Sequence, residues 1–247
     1  MRMLEVRGIE KSFVVPDVKR HTVREHLFSG FRRPATRRLE VLRGVTFDVE
    51  AGETIGLMGR NGSGKSTLLK ILSGVYAPQR GRVSCQGAVT ALLELGVGCN
   101  PELSARDNVL LLGTLMGLPL RAVDADLEAI LSFAELGPFA EQQVKHLSSG
   151  MAARLAYSVA FHAVHEVLLV DEVVAVGDAG FKKRCFDRFR LLSEAGRTIV
   201  LVSHDPRTVA ELCPRALLLE GGQIVRDGTG RAIADAYLEL TGIARAP

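Results

Sequence analysis

The sequence predicts an α/β fold: a largely parallel sheet carrying a phosphate-binding loop, with a smaller antiparallel β part and an inserted helical segment. Three observations predict it. The apolar run Thr54–Met58 feeds straight into Gly59-Arg60-Asn61-Gly62-Ser63-Gly64-Lys65-Ser66-Thr67, which fits G-x-x-x-x-G-K-[ST]. Helical spacing of Leu68, Leu69 and Leu72 follows, and strand, glycine-rich loop and helix in that order are the context the motif requires. Val167–Val170 and Thr198–Val202 are unbroken apolar runs, as expected of parallel strands covered on both faces. Near the C-terminus, Gly221-Gly222 between Ala216–Leu219 and Gln223–Val225 signals a hairpin.

Taken in order, Leu4–Val6 and Val45–Val49 read as short strands. Between them, Lys19 to Arg38 carries Lys19, Arg20, Arg24, Arg32, Arg33, Arg37 and Arg38, with Val23, Leu27, Phe28 and Phe31 at roughly helical spacing until Pro34. This basic insert, about residues 18–39, reads either as an amphipathic element facing anionic headgroups or as a solvated insertion on the β part. Ser66–Ser73 is the helix after the phosphate loop. Residues 103–146 read as helical: Asp107-Asn108 begins one helix, and Arg121–Ala134 forms another around Val123, Leu127, Ile130, Leu131 and Ala134. Gly150 opens a further helix through Met151, Leu155, Ala156, Val159 and Ala160, and Arg231–Leu240 closes the chain as a helix.

The 247 residues suffice for one large or two small domains, and 47% apolar content supports a sizeable core. A net charge of +3 is too slight to argue for nucleic acid. No apolar run is long enough to span a bilayer; Val109 to Leu120 is interrupted by Gly113, Thr114, Gly117 and Pro119 and reads as two helix fragments. The N-terminus lacks the apolar core of a signal peptide, so a cytosolic location is the expectation. Cys85, Cys99, Cys185 and Cys213 form no C-x-x-C pair and no zinc spacing, and read as reduced and structural.

The chemistry lies in segments far apart along the chain. Gly59, Gly62 and Gly64 let the backbone approach a phosphate and turn its N–H groups inward around Asn61 and Ser63. Lys65 would reach the β- and γ-phosphates of ATP, Ser66 would bind Mg²⁺, and Thr67 continues the motif into the helix. Asp171 ends an apolar strand, with Mg²⁺ as its expected partner directly or through water. Glu172, one residue on, suits a general base for the attacking water. Ser148, Ser149 and Gly150 sit at a helix N-terminus, a ready anion site, although an ordinary serine cap fits the same residues. His204 follows the strand Thr198–Val202 in Ser203-His204-Asp205.

With Leu147-Ser148-Ser149-Gly150-Met151 placed between the phosphate loop and Val170-Asp171-Glu172, the chain resembles the ATP-binding subunits of ABC transporters over nearly its whole length. The resemblance implies a P-loop NTPase fold with an antiparallel β subdomain and an α-helical subdomain inserted near residues 97–158. It implies ATP hydrolysis in a homodimer, where Ser148, Ser149 and Gly150 of one copy face the ATP on the other. It makes His204 a sensor of the γ-phosphate, Asp178 a residue of the loop that crosses the dimer interface, and Phe13 the aromatic that stacks on adenine, although an aromatic after a strand also reads as core. Ala91 to Gly98, then Pro101-Glu102-Leu103, and Asp171 to Asp178 with Phe181 and Lys183, look like exporters of cell-surface polysaccharide: O-antigen, capsule or teichoic acid. Such subunits work at the cytoplasmic face of the inner membrane with a separate integral-membrane permease that handles the glycan. Export of a lipid or drug, or a soluble non-transport ABC ATPase, are the alternatives. Two departures stand out. Glu94-Leu95 occupies the place where most such ATPases have a glutamine, and the chain stops at Pro247, where some O-antigen exporters carry a carbohydrate-binding β-domain.

Overall fold

The computed structural model describes residues 1–16, 36–92, 99–171 and 178–242. Glu94, Glu172 and most of the basic insert therefore lie outside the described residues. Strands β1 (Arg2–Pro16), β2 (Thr36–Glu50) and β4 (Arg80–Cys85) form an antiparallel sheet in the order β2-β1-β4. β1 and β2 run far beyond the short strands the sequence suggested. Leu4, Val6 and Ile9 are buried while Glu5 and Arg7 between them and Glu10 after them are half-exposed, and register shifts near Val6/Ile9 and Lys11/Ser12 break the period of two. Those bulges, rather than any lack of pairing, hid the strands' length. Thr36 to Leu39, the tail of the basic insert, are strand residues, with Arg38 opposite Val14.

The second sheet holds β3 (Thr54–Met58), β5 (Val89–Leu92), β6 (Val167–Asp171), β7 (Thr198–Val202), β8 (Arg215–Glu220) and β9 (Gln223–Thr229) in the order β5-β6-β7-β3-β8-β9. All neighbours are parallel except β9, which turns back on β8. Its hairpin has Gly221 at φ 54° and Gly222 at φ 81°, the two positive values that a type I′ turn demands. Alternate residues feed two cores. Ile55, Leu57, Leu169, Val202 and Leu219 pack with Leu68, Leu69 and Leu72 of helix α1 (Lys65–Leu72) and with Leu4, Val6 and Val49, so α1 lies between the two sheets. Met58, Leu168, Val170, Leu201 and Leu218 face the other way, against helices α4 (Ser149–His162), α5 (Ala179–Glu194), α6 (Pro206–Leu212) and α7 (Gly230–Thr241). Both faces are covered, which is why the strands read as unbroken apolar runs.

A third apolar cluster joins helix α2 (Ala105–Leu115) and helix α3 (Leu120–Phe133) to Leu155 and Val159 of α4. α2 starts at Ala105, two residues before the expected Asp107, because Ser104 caps it by accepting from the Asp107 amide at 3.0 Å. Fully buried Asn108 donates to the carbonyls of Asn100, Leu103 and Ser104 and accepts from the Asn100 amide at 2.7 Å, pinning the chain that enters α2. Helix α5 was not expected from the sequence. Its buried residues Phe181, Cys185, Phe189 and Leu192 form one narrow stripe on an otherwise charged helix. No helix among the described residues is long and apolar enough to cross a membrane.

Candidate functional site

The phosphate loop joins β3 to α1, and at two of its glycines no side chain fits. A Cβ on Gly59 would lie 2.2 Å from the Leu219 carbonyl oxygen and 2.6 Å from Ser63 Oγ. Gly64 has φ 108°, and its Cβ would lie 2.9 Å from the Val41 carbonyl oxygen. Gly62, at φ 80°, has open space around it, so its requirement is conformational alone. Gly64 precedes α1 and no side chain caps that helix, which leaves the first-turn amides and the positive end of the helix to an anion. Buried Ser63 Oγ has no hydrogen-bond partner among the described residues, an orphan that a phosphate oxygen would satisfy. Lys65 is only 7% exposed, and its Nζ donates to the carbonyls of Gly59 at 2.7 Å and Arg60 at 3.1 Å. The ammonium is thus held inside the loop. Ser66 is exposed one position further, and Asn61 is exposed at the loop's tip.

Sheet register brings the other segments to the same edge. Leu57 pairs with Val202, and Val202 pairs with Asp171, so three adjacent strands end on one row beside the loop. With parallel strands about 4.8 Å apart, Asp171 lies roughly two strand spacings from β3. Ligands of open α/β sheets gather at this C-terminal edge. After Val202, buried Ser203 accepts from the Asp205 amide at 3.0 Å, and Asp205 caps α6 by accepting from the Arg207 amide at 3.0 Å and from Thr208 Oγ1 at 2.6 Å. This pinned turn carries His204 on its exposed side. The oxygens of Ser66 and Asp171 are hard donors of the kind Mg²⁺ takes, so this edge fits a magnesium nucleotide. Among the described residues no three metal-binding side chains cluster, so substrate phosphates and water would complete the ion's shell.

The Leu-Ser-Ser-Gly-Met segment forms the start of α4. Ser148 caps it by accepting from the Met151 amide at 3.2 Å, Ser149 is exposed, and a Cβ on Gly150 would meet nothing closer than Ser148 Oγ at 3.9 Å. The plain serine cap is therefore present, and Gly150 is not required by packing inside this chain. Asp178 caps α5 by accepting from the Phe181 amide at 2.9 Å. That hydrogen bond, with the nearby Arg154 guanidinium, holds its carboxyl below the usual range. Phe13 is half-buried with its ring edge-on to Tyr76, centroids 5.8 Å apart, and Lys11 Nζ lies near both rings. It thus already belongs to an aromatic–cation group on the β part. Tyr76 is a residue the sequence reading passed over, having no motif around it.

Glu135 and Arg184 likewise carry no motif. Glu135 binds Arg154 and Arg184 at 2.6 Å each, close to Asp178. Nothing in the local pattern marks Glu135, since its partners lie nineteen or more residues away along the chain.

The family model for ABC transporters matches residues 42–175. The ABC transporter protein AbcA of Aeromonas salmonicida is 41% identical over 96% of this chain and 76% of its own length. The O-antigen export system ATP-binding protein RfbB of Klebsiella pneumoniae is 39% identical over 81% of this chain and 82% of its own length. The teichoic acids export ATP-binding protein TagH of Listeria monocytogenes is 36% identical over 85% of this chain, which spans 64% of that relative. Among solved structures, a dimeric ATP-binding cassette bound to ADP and Pi aligns with TM-score 0.74 over 93% of this chain at 22% identity, a likeness of fold.

Proposed function

Because this chain belongs to the ABC transporter family as an ATP-hydrolysing subunit, we propose that it powers export of a lipid-linked cell-surface polysaccharide through a separate membrane permease. It would act as a homodimer attached to the cytoplasmic face of the inner membrane. The observation that carries this reading is similarity to two kinds of polysaccharide-export ATPase, those of O-antigen and of teichoic acids, over more than four fifths of the chain. The sheet edge supplies the chemistry.

In this mechanism the loop amides and the N-terminal end of α1 bind the β- and γ-phosphates. Lys65 moves from the loop carbonyls to the phosphates, exchanging neutral acceptors for charged ones. Ser66 and Asp171 would hold Mg²⁺, which would offset phosphate charge. Glu172 orients the attacking water and takes its proton, and His204 contacts the γ-phosphate from the turn after β7. Phe13 offers a ring face to adenine. Ser148, Ser149 and Gly150 of a second copy close the site, and Gly150, half-buried and without a side chain, lets that copy's backbone approach closely.

The test is Glu172→Gln in the full chain. ATP binding should persist while turnover falls at least about a hundredfold, as loss of a general base does. ATP should also drive a stable dimer of the variant. Hydrolysis at the parent rate would remove Glu172 from the base role.

A further inference from the structure

Beside the start of α4, an ion-pair cluster ties α3, α4 and α5 together. α3 ends in a Schellman motif: the Leu136 amide donates to the Leu131 carbonyl at 2.8 Å and the Glu135 amide to the Ser132 carbonyl at 3.0 Å. The motif puts its C′ residue in the left-handed region, where glycine is favoured. Here that residue is Glu135, at φ 58° the sole non-glycine with positive φ among the described residues. A side chain kept at a strained position needs a reason outside its own helix.

The reason is visible in its partners. Glu135 Oε2 meets Arg154 of α4, and Oε1 meets Arg184 of α5, each at 2.6 Å. Arg154 also lies 3.7 Å from Asp178 Oδ2. Both guanidinium groups sit near the Phe181 ring, at 5.9 and 5.6 Å from its centroid. One carboxylate therefore holds two like charges together. Arg154 is four residues, about one helical turn, beyond Gly150, and Arg184 is six residues, nearly two turns, beyond the cap Asp178.

We propose that Glu135 is a positioning residue for the composite ATP site: through Arg154 and Arg184 it fixes the Ser148–Gly150 turn relative to Asp178, so that both reach a second copy in register. This rests on the reading that those two segments meet a second copy around ATP. Replacing Glu135 with glycine relieves the left-handed backbone, so stability should hold or rise; a merely structural residue at this place would instead lose stability on replacement.

The experiment uses the full chain in the Glu172→Gln background, with ATP-dependent dimerisation followed by analytical ultracentrifugation. Adding Glu135→Gly should leave ATP affinity of the monomer within about twofold and Tm at or above the parent's, while the dimer dissociation constant rises roughly tenfold, the scale of a coupling between sites. Glu135→Gln, which keeps the shape without the charge, should raise the dimer dissociation constant to a similar extent with monomer ATP affinity again within about twofold, its Tm falling only by the lost ion pairs. If the parent dimerises and both double variants dimerise as tightly, the proposal is overturned and the proposed function stands. A dimer defect accompanied by a lowered Tm in Glu135→Gly would make the residue an ordinary structural one, again overturning it. Failure of the parent itself to dimerise would instead reject the head-to-tail reading, and this inference with it.

Discussion

Cys185 and Cys213 lie in the apolar core under α5 and α6, and burial pushes both thiols up to about 12. At pH 8 the thiolate fraction is then on the order of 10⁻⁴, so neither can act as a nucleophile. Iodoacetamide at pH 8 should modify them only after denaturation; rapid labelling of the native protein at either would contradict this packing. The carboxylates beside α4 titrate in the opposite sense. The Arg184 hydrogen bond holds Glu135 below its ordinary value of 4.5, and the Phe181 amide holds Asp178 below 3.8. In each case the unfolded chain takes up the proton first on acidification. Their stabilisation is present above pH 4.5 and drains away as pH falls through the folded values. A Tm-against-pH curve should bend downward below about pH 4.5, and less so in Glu135→Gln. Residue type and spacing mark candidates wherever the proposed chemistry is local, as for Lys65, Ser66, Asp171 and His204. They are silent at Glu135, whose proposed role depends on φ and on distant arginines.

The elements that carry the site were legible for the same reason that they are stable. β3, β6 and β7 are buried on both faces, so their apolar runs are continuous and hard to misread. β1 and β2 have one wet face and bulged registers, and α5 has a thin apolar stripe, so their lengths or presence escaped the pattern. β4 and β5 were missed because they are short and only partly buried. Two glycine substitutions separate packing from chemistry here. Gly59→Ala drives a methyl to 2.2 Å from a carbonyl of β8 that cannot yield, and should cost about 1–3 kcal/mol in urea unfolding as overpacking does. Gly150→Ala places its methyl in ordinary contact, 3.9 Å from Ser148 Oγ, and should change stability by less than about 0.5 kcal/mol. Turnover should nonetheless drop in Gly150→Ala, because the added methyl stands where a second copy's nucleotide must approach. Full activity in that variant would take Gly150 out of the site.

For the whole molecule, the central claim is that one copy completes the ATP site of another. Within this chain the phosphate loop, Asp171 and His204 share one sheet edge, while the Ser148–Gly150 turn opens α4 at the end of the helical part with both serines exposed. A head-to-tail pair joins these two surfaces twice, once at each site. Lys65→Ala removes the ammonium that the loop holds for phosphate, and Gly150→Asp sets a carboxylate against the γ-phosphate, so each variant alone should hydrolyse almost no ATP. The direct measurement is steady-state ATPase of the two inactive variants mixed in equal amounts. Half of the dimers are then mixed, and each mixed dimer has one intact site: the loop of the Gly150→Asp copy with the turn of the Lys65→Ala copy. Activity should return to about a quarter of the parent rate at equal mixing if the two sites act independently. No recovery at any mixing ratio would contradict the claim that the site is shared between copies.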